Sequence, residues 1–344
     1  MNRRQLMPVA FLFPALLAGC SEPSGSTEEA PLERSESALQ KGSNVKATLE
    51  DAGLPWRLTV SAELPNAPRE LPVYAVVRGK PRTDMPALER AFGVRGAAKS
   101  SDRFGGVSHL RDGERHAYVY DHGGAAFHDA ALIGSEEPME PVPAHILWKD
   151  AARRLGQLKL LAAGPVQLEP GNVGSQTVTQ RDERGEPLRQ WISAQSVVYK
   201  QRIDGLPTFG AGSEVDFVYV KDRALASFSH AVREIEKGAP LPIDAPLKAI
   251  RRYLDRAAKE QRWNLLKAHI RQVDRVDIED VQLGYYVPEA TSPAETLEPV
   301  YALRGKAHGT DGSGAQTTVN VAWFEPAAAG RAISSLAVGD RPRQ

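Results

Sequence analysis

The sequence contains a single cysteine among 344 residues, Cys20. One cysteine excludes an intramolecular disulfide and a Cys-rich zinc site. There is no excess of charge of either sign, with 43 Lys+Arg against 43 Asp+Glu. A neutral balance provides no electrostatic footprint for nucleic acid and no general attraction to an anionic bilayer. The apolar run Leu6–Leu17 falls short of the roughly 20 residues that a membrane-spanning helix needs. Catalytic motifs are also missing. Without His-Glu-x-x-His, zinc-protease chemistry lacks its ligands. Without Gly-x-Ser-x-Gly, a Ser-His-Asp hydrolase lacks its nucleophile elbow. Gly210-Ala211-Gly212-Ser213 has neither the Lys-Ser/Thr ending nor the following helix of a phosphate cradle, so it reads as a turn.

What is present is an ordinary globular composition, 42% hydrophobic and 25% charged, which argues against wholesale disorder. The length suggests about two domains. A chain of this size buries roughly 70–75% of its unfolded surface and needs no staple.

The first twenty residues carry a targeting signal. Arg3 and Arg4 form a positive start, Leu6–Leu17 is apolar apart from Pro8 and Pro14, and Leu17-Ala18-Gly19-Cys20 closes the stretch. This order is that of a secretory signal. Leu-Ala-Gly-Cys resembles the lipobox of bacterial lipoproteins at every position. The resemblance implies cleavage between Gly19 and Cys20, diacylation of the Cys20 thiol, and Cys20 as the first mature residue. Asn2–Met7 is also similar to a twin-arginine signal, with Leu6 at the consensus Phe position. Ser21 resembles the second residue of outer-membrane lipoproteins. The expected location is the cell envelope, lipid-anchored, facing the periplasm or surface of the outer membrane in a Gram-negative host.

Six segments are expected: a signal peptide at 1–19, a tether at 20–44, an N-terminal α+β domain at 45–140, a second unit at 141–238, a third at 239–330 and a tail at 331–344. The tether is rich in Ser, Glu, Pro and Gly, and its apolar content cannot offset its chain entropy. A flexible tether of this length spans about 25–30 Å r.m.s..

Beyond it, strand and helix signals follow one another. Thr83-Asp84 offers an N-cap for a helix with Pro86 in its first turn and Met85, Leu88 and Phe92 on one face. His116–Tyr120 and Ala125–Asp129 read as a hairpin. A second helix covers about 146–161, with Leu147, Ala151, Leu155 and Leu158 as its stripe. A third starts at Asp244, with Leu247, Ile250, Leu254 and Ala257 buried. Strand patterns cover 197–203, 215–219, 281–287, 299–304 and 317–324. Helices followed by antiparallel strands give an α+β expectation. Pro72–Lys80 echoes Pro299–Lys306, the pattern a duplicated unit would leave.

His116, His122 and His128 recur every six residues. The hairpin places His122 in its turn and His116 across from the Asp129 end, so the three do not converge. No metal and no cofactor are expected. The acidic pairs Glu136-Glu137 and Glu279-Asp280 read as solvated surface, and no catalytic set is assigned.

Val197–Gly210 reads Val-Val-Tyr-Lys-Gln-Arg-Ile-Asp-Gly-Leu-Pro-Thr-Phe-Gly. It resembles the Y-x-Q-x-(apolar)-x-G-(apolar)-P signature in propeptides of thermolysin-like metallopeptidases. The stretch from the third helix to Leu297-Glu298-Pro299-Val300-Tyr301 is similar to the PepSY module of such propeptides. Tandem units on an exported, membrane-attached chain are also similar to the YycI/YycH regulators. The resemblance implies tandem units of a helix on an antiparallel sheet, PepSY- or cystatin-like, in a non-enzymatic chain that binds and regulates an envelope peptidase or a sensor. No peptidase domain follows the match, so a zymogen propeptide acting in cis is not expected. Tyr199, Gln201, Gly205, Leu206, Pro207 and Phe209 are the implied partner contact. A small-ligand or glycan-binding lipoprotein is the alternative, to be favoured by an apolar pocket between helices and sheet.

Overall fold

The computed structural model describes residues 47–49, 56–102, 106–161, 164–260 and 270–331, with side chains of the third helix described up to Tyr253. The signal segment, Cys20, the tether, Trp263 and nearly all of the 331–344 tail lie outside these residues.

The described chain is mostly β, with about half of it in strands and about an eighth in three helices. In chain order the elements are β1 (Ala47–Leu49), β2 (Arg57–Val60), β3 (Glu70–Val76), α1 (Met85–Phe92), β4 (Lys99–Ser101), β5 (Val107–Asp112), β6 (Arg115–Tyr120) and β7 (Ala125–Asp129). Then come α2 (Ala144–Gln157), β8 (Val166–Arg181), β9 (Pro187–Ile203), β10 (Leu206–Phe209), β11 (Glu214–Tyr219), β12 (Leu225–His230) and β13 (Ile235–Pro242). Last are α3 (Pro246–Glu260), β14 (Gln272–Tyr286), β15 (Thr296–Leu297), β16 (Pro299–Thr310) and β17 (Gln316–Pro326).

Fourteen of these strands form one mixed sheet, and β13-β3-β15 form a small second sheet. This corrects the α+β expectation of tandem helix-on-sheet units. The expected helices exist, but the strands of all three folded segments are hydrogen-bonded into one continuous sheet. Two parallel pairings make it so. β10 runs parallel to β14 through Thr208↔Tyr285 and Phe209↔Tyr286, and β14 runs parallel to β2 through Arg275–Ile278. The ribbons are also long, 16 and 17 residues for β8 and β9 and 15 for β14. The two echoing segments lie in different surroundings. β3 sits between β13 and β15, whereas β16 sits between β14 and β17.

Local chemistry explains the helices. Asp84 accepts the Ala87 N–H at 2.9 Å and Gly93 closes α1. Ala87, Leu88, Ala91 and Phe92 of α1, with Leu147, Ala151 and Leu155 of α2, are buried. They pack on one apolar row of the large sheet, Val197–Phe217–Phe228–Phe127–Ala117–Leu110, whose members lie directly opposite one another across β9, β11, β12, β7, β6 and β5. A second core gathers Leu247 and Ile250 of α3 against Leu58, Val276, Ile278, Tyr301 and Leu303, with Trp323 at its margin.

Candidate functional site

The stretch Tyr199–Phe209 lies at the junction of the two halves of the large sheet. Asp204 and Gly205 have φ of +47° and +80°. These form the two-residue loop between Ile203 and Leu206, and two positive φ values favour Gly at such a turn. The Tyr199 ring meets Trp148 of α2 edge-on at 4.9 Å. Gln201 is buried, and its Nε2 donates to the Gly212 carbonyl at 2.6 Å, tying down the loop before β11. Phe209 is buried with Tyr286, Val300 and Ala302. Leu206 and Pro207 are half-buried and Gly205 is exposed. Of the six implied contact residues, three therefore have buried side chains that hold the junction together. The Asp204 carboxylate accepts hydrogen bonds from the Tyr74 hydroxyl and, at 3.0 Å, from Lys237 Nζ. The Tyr74 bond comes first in holding Asp204 below its usual range.

The opposite face of the large sheet is the more exposed between β8 and β4, with Val218 packed against Ala194, Val220, Ala226 and Leu132 at its margin and Phe209, Tyr286, Val300 and Ala302 buried toward β14 and β16. Strand register places two further rows on it, because side chains alternate between faces. One row runs Asn172–Val198–Asp216–Ser229–Ala126–Tyr118–His109–Lys99 from β8 to β4. Beside it runs Gly174–Ser196–Val218–Ser227–His128–His116–Arg111. Apart from Val198, all of these residues are half-buried or exposed. The middle of the face is made of small side chains, and a rank of rings borders it.

The rings form one connected cluster. His109 Nε2 and His116 Nδ1 share a hydrogen bond at 3.1 Å, with ring planes within 2°. Tyr118 lies parallel to His109 at 4.5 Å, and His128 lies nearly parallel to His116 at 4.9 Å. Burial, then His116, Arg111 and Lys99, holds His109 below the usual imidazole range. Burial, then His116 and His109, does the same for His128. In the middle of the face, burial and then Glu214 push Asp216 up to about 7.

Of the three regularly spaced histidines, the structure brings His116 and His128 together and adds His109. It buries His122 elsewhere, with its Nε2 2.8 Å from the Ala290 carbonyl. His109 was missed because it belongs to the neighbouring hairpin. Only the β5–β6 register, which pairs His109 with Tyr118, reveals it. Asp216 was missed because its polar alternation reads as a solvated face. Among the described residues, no group of three or more His, Cys, Asp or Glu side chains has the geometry to hold a metal ion. None of the described helices is long and apolar enough to cross a membrane.

A cleft of about 220 Å³ opens between α1, α2 and the end of the sheet, lined by Phe92, Phe127, Leu132, Leu225, Arg115 and Arg154 among others. Both guanidiniums are engaged, Arg115 with Asp112 at 2.8 Å and Arg154 with Asp150 at 2.7 Å.

No family model matches the chain. No curated protein matches it either. Among solved structures, an uncharacterized protein from Eubacterium rectale is similar at 9% identity and a TM-score of 0.48, covering 87% of this chain and 97% of its own.

Proposed function

We propose that this chain is a non-catalytic envelope lipoprotein, anchored through Cys20, that binds and regulates another protein. The binding surface in this reading is the open face of the large sheet. The observation that carries it is Asp216, a half-buried carboxyl group in the middle of this face that has no ion-pair partner among the described residues and that burial, then Glu214, push up to about 7. Perturbed titratable groups concentrate at functional sites, and a broad, shallow face of small polar side chains suits a macromolecular partner better than a small ligand. The lipobox resemblance supports the location. The Val197–Gly210 resemblance supports an envelope peptidase or a sensor as the partner class.

Photocrosslinking tests this reading. A benzophenone amino acid replaces Ser229 on the open face or Leu188, which is 64% exposed at the far end of the β8–β9 ribbon. The expected result is a protein adduct from position 229 in intact envelopes and none from position 188. Equal adducts from both positions would overturn it. A saccharide or small-molecule adduct at position 229, without protein, would shift the assignment to the second reading, a small-ligand or glycan-binding lipoprotein.

A further inference from the structure

We propose that His109, His116 and His128, with Lys99 and Arg111, receive an acidic segment of the partner protein, and that binding takes up protons from solvent. This inference rests on the open sheet face being the binding surface and names the chemistry of its occupant.

The geometry carries the proposal. Three imidazoles from β5, β6 and β7 sit on adjoining strands of one face, two of them joined by the 3.1 Å hydrogen bond. Lys99 lies directly opposite His109, and Arg111 directly opposite His116. Among the described residues, neither cation has a carboxylate within ion-pair distance. Arg111 Nε donates to the Gly113 carbonyl at 2.9 Å instead.

The other groups packed around the cluster are few. β6 contributes the Tyr118 hydroxyl, and β12 contributes Ser227 and Ser229. Asp216 and Glu214 stand one strand further away on β11. Asp129 follows His128 on β7, and its Oδ1 accepts the Ala131 N–H at 3.1 Å. Among the described residues the cluster is thus a cationic field with no ion-paired carboxylate, in which burial and the neighbouring imidazoles hold His109 and His128 below the usual imidazole range. An arriving carboxylate favours the charged imidazole. Protonation and binding of an acidic segment are therefore linked, and affinity rises as the pH falls. A lone basic patch would lack this pH response.

The test uses the full chain carrying Cys20→Ser and a fluorescein-labelled peptide of four Glu-Ser repeats, read by fluorescence anisotropy. Affinity is expected to tighten about tenfold between pH 7.5 and 5.5. The triple variant His109→Gln/His116→Gln/His128→Gln is expected to reduce that response to less than about twofold. Lys99→Gln/Arg111→Gln alters the margin of the cluster rather than its rings. It should weaken binding about fivefold at both pH values while keeping the response. Equal affinity at both pH values, or an unchanged response in the triple variant, would overturn the proposal. A third arm uses phosphatidylglycerol vesicles. Binding to them with the same histidine dependence, and none to the peptide, would assign the face to a bilayer and overturn it as well. Crosslinking at position 229 separates the two levels. A protein adduct there, without peptide binding, would sink this inference and leave the open-face reading standing.

Discussion

Single residues in this protein hold charge states that the fold makes expensive. Asp216 has a folded pKa of about 7, above the ordinary unfolded value of about 3.9. Between those values the native state binds more protons than the unfolded state. Stability therefore falls as the pH rises through the window, and the full penalty remains above pH 7. Asp216→Asn is expected to stabilise the protein by about 2–3 kcal/mol at pH 8 and hardly at all at pH 4, read from urea midpoints. His230, fully buried with a pKa pulled down to about 3, acts in the opposite direction and weakens the fold as the pH falls. Because it is common to both proteins, the difference between them isolates Asp216. A variant no more stable than wild type at pH 8 would mean that solvent reaches this carboxyl freely. Arg233 is another such residue. It is buried at 1% exposure and donates to the carbonyls of His122, Pro288, Glu289 and Ser292. It thereby ties the β6–β7 turn to the loop after β14. Nothing in the residues around Arg233 in the sequence marks it as buried, because its acceptors are backbone groups from distant loops.

At the level of elements, the short parallel pair β10–β14 decides how the halves of the sheet meet. Gly284 makes it possible. A Cβ there would lie 2.1 Å from the Pro207 carbonyl oxygen and 2.6 Å from the Phe209 ring. Gly284→Ala is expected to cost about 2–4 kcal/mol, because the intruding atom meets backbone that cannot yield without separating β10 from β14. A urea midpoint within error of wild type would show that the junction is looser than this geometry. The local elements were well marked in the sequence. The Thr83-Asp84 cap predicted α1, the Leu147, Ala151, Leu155 and Leu158 stripe predicted α2, and the hairpin of His116–Tyr120 with Ala125–Asp129 follows from its turn residues. β8 was illegible. Most of its sixteen residues are polar or exposed and its few apolar ones are unevenly spaced, so no sustained alternation marks a strand that is hydrogen-bonded along its whole length to β9. The Tyr199–Phe209 signature was visible as a motif, but its burial depended on what packs against it.

On the scale of the molecule, the proposed anchor at Cys20 and the sheet set the constraints on function. Cys20→Ser is expected to abolish labelling with radioactive palmitate and to leave the protein unprocessed or soluble. Continued labelling would disprove the lipobox reading. With Cys20 lipidated as proposed, a flexible segment of the length of 20–44 would hold the folded body about 25–30 Å from the bilayer. At that distance an open sheet face can meet a partner without touching lipid. Composition, the single cysteine, the lipobox-like run and the caps and turns of individual elements were determined by the sequence alone. They depend on residues close together in the chain, where spacing translates directly into geometry. The merging of three segments into one sheet, the burial of the signature residues and the meeting of His109 with His116 and His128 were decided only by the tertiary structure. Each depends on strand register between residues far apart in sequence, and register is set by how whole faces pack rather than by any residue's neighbours.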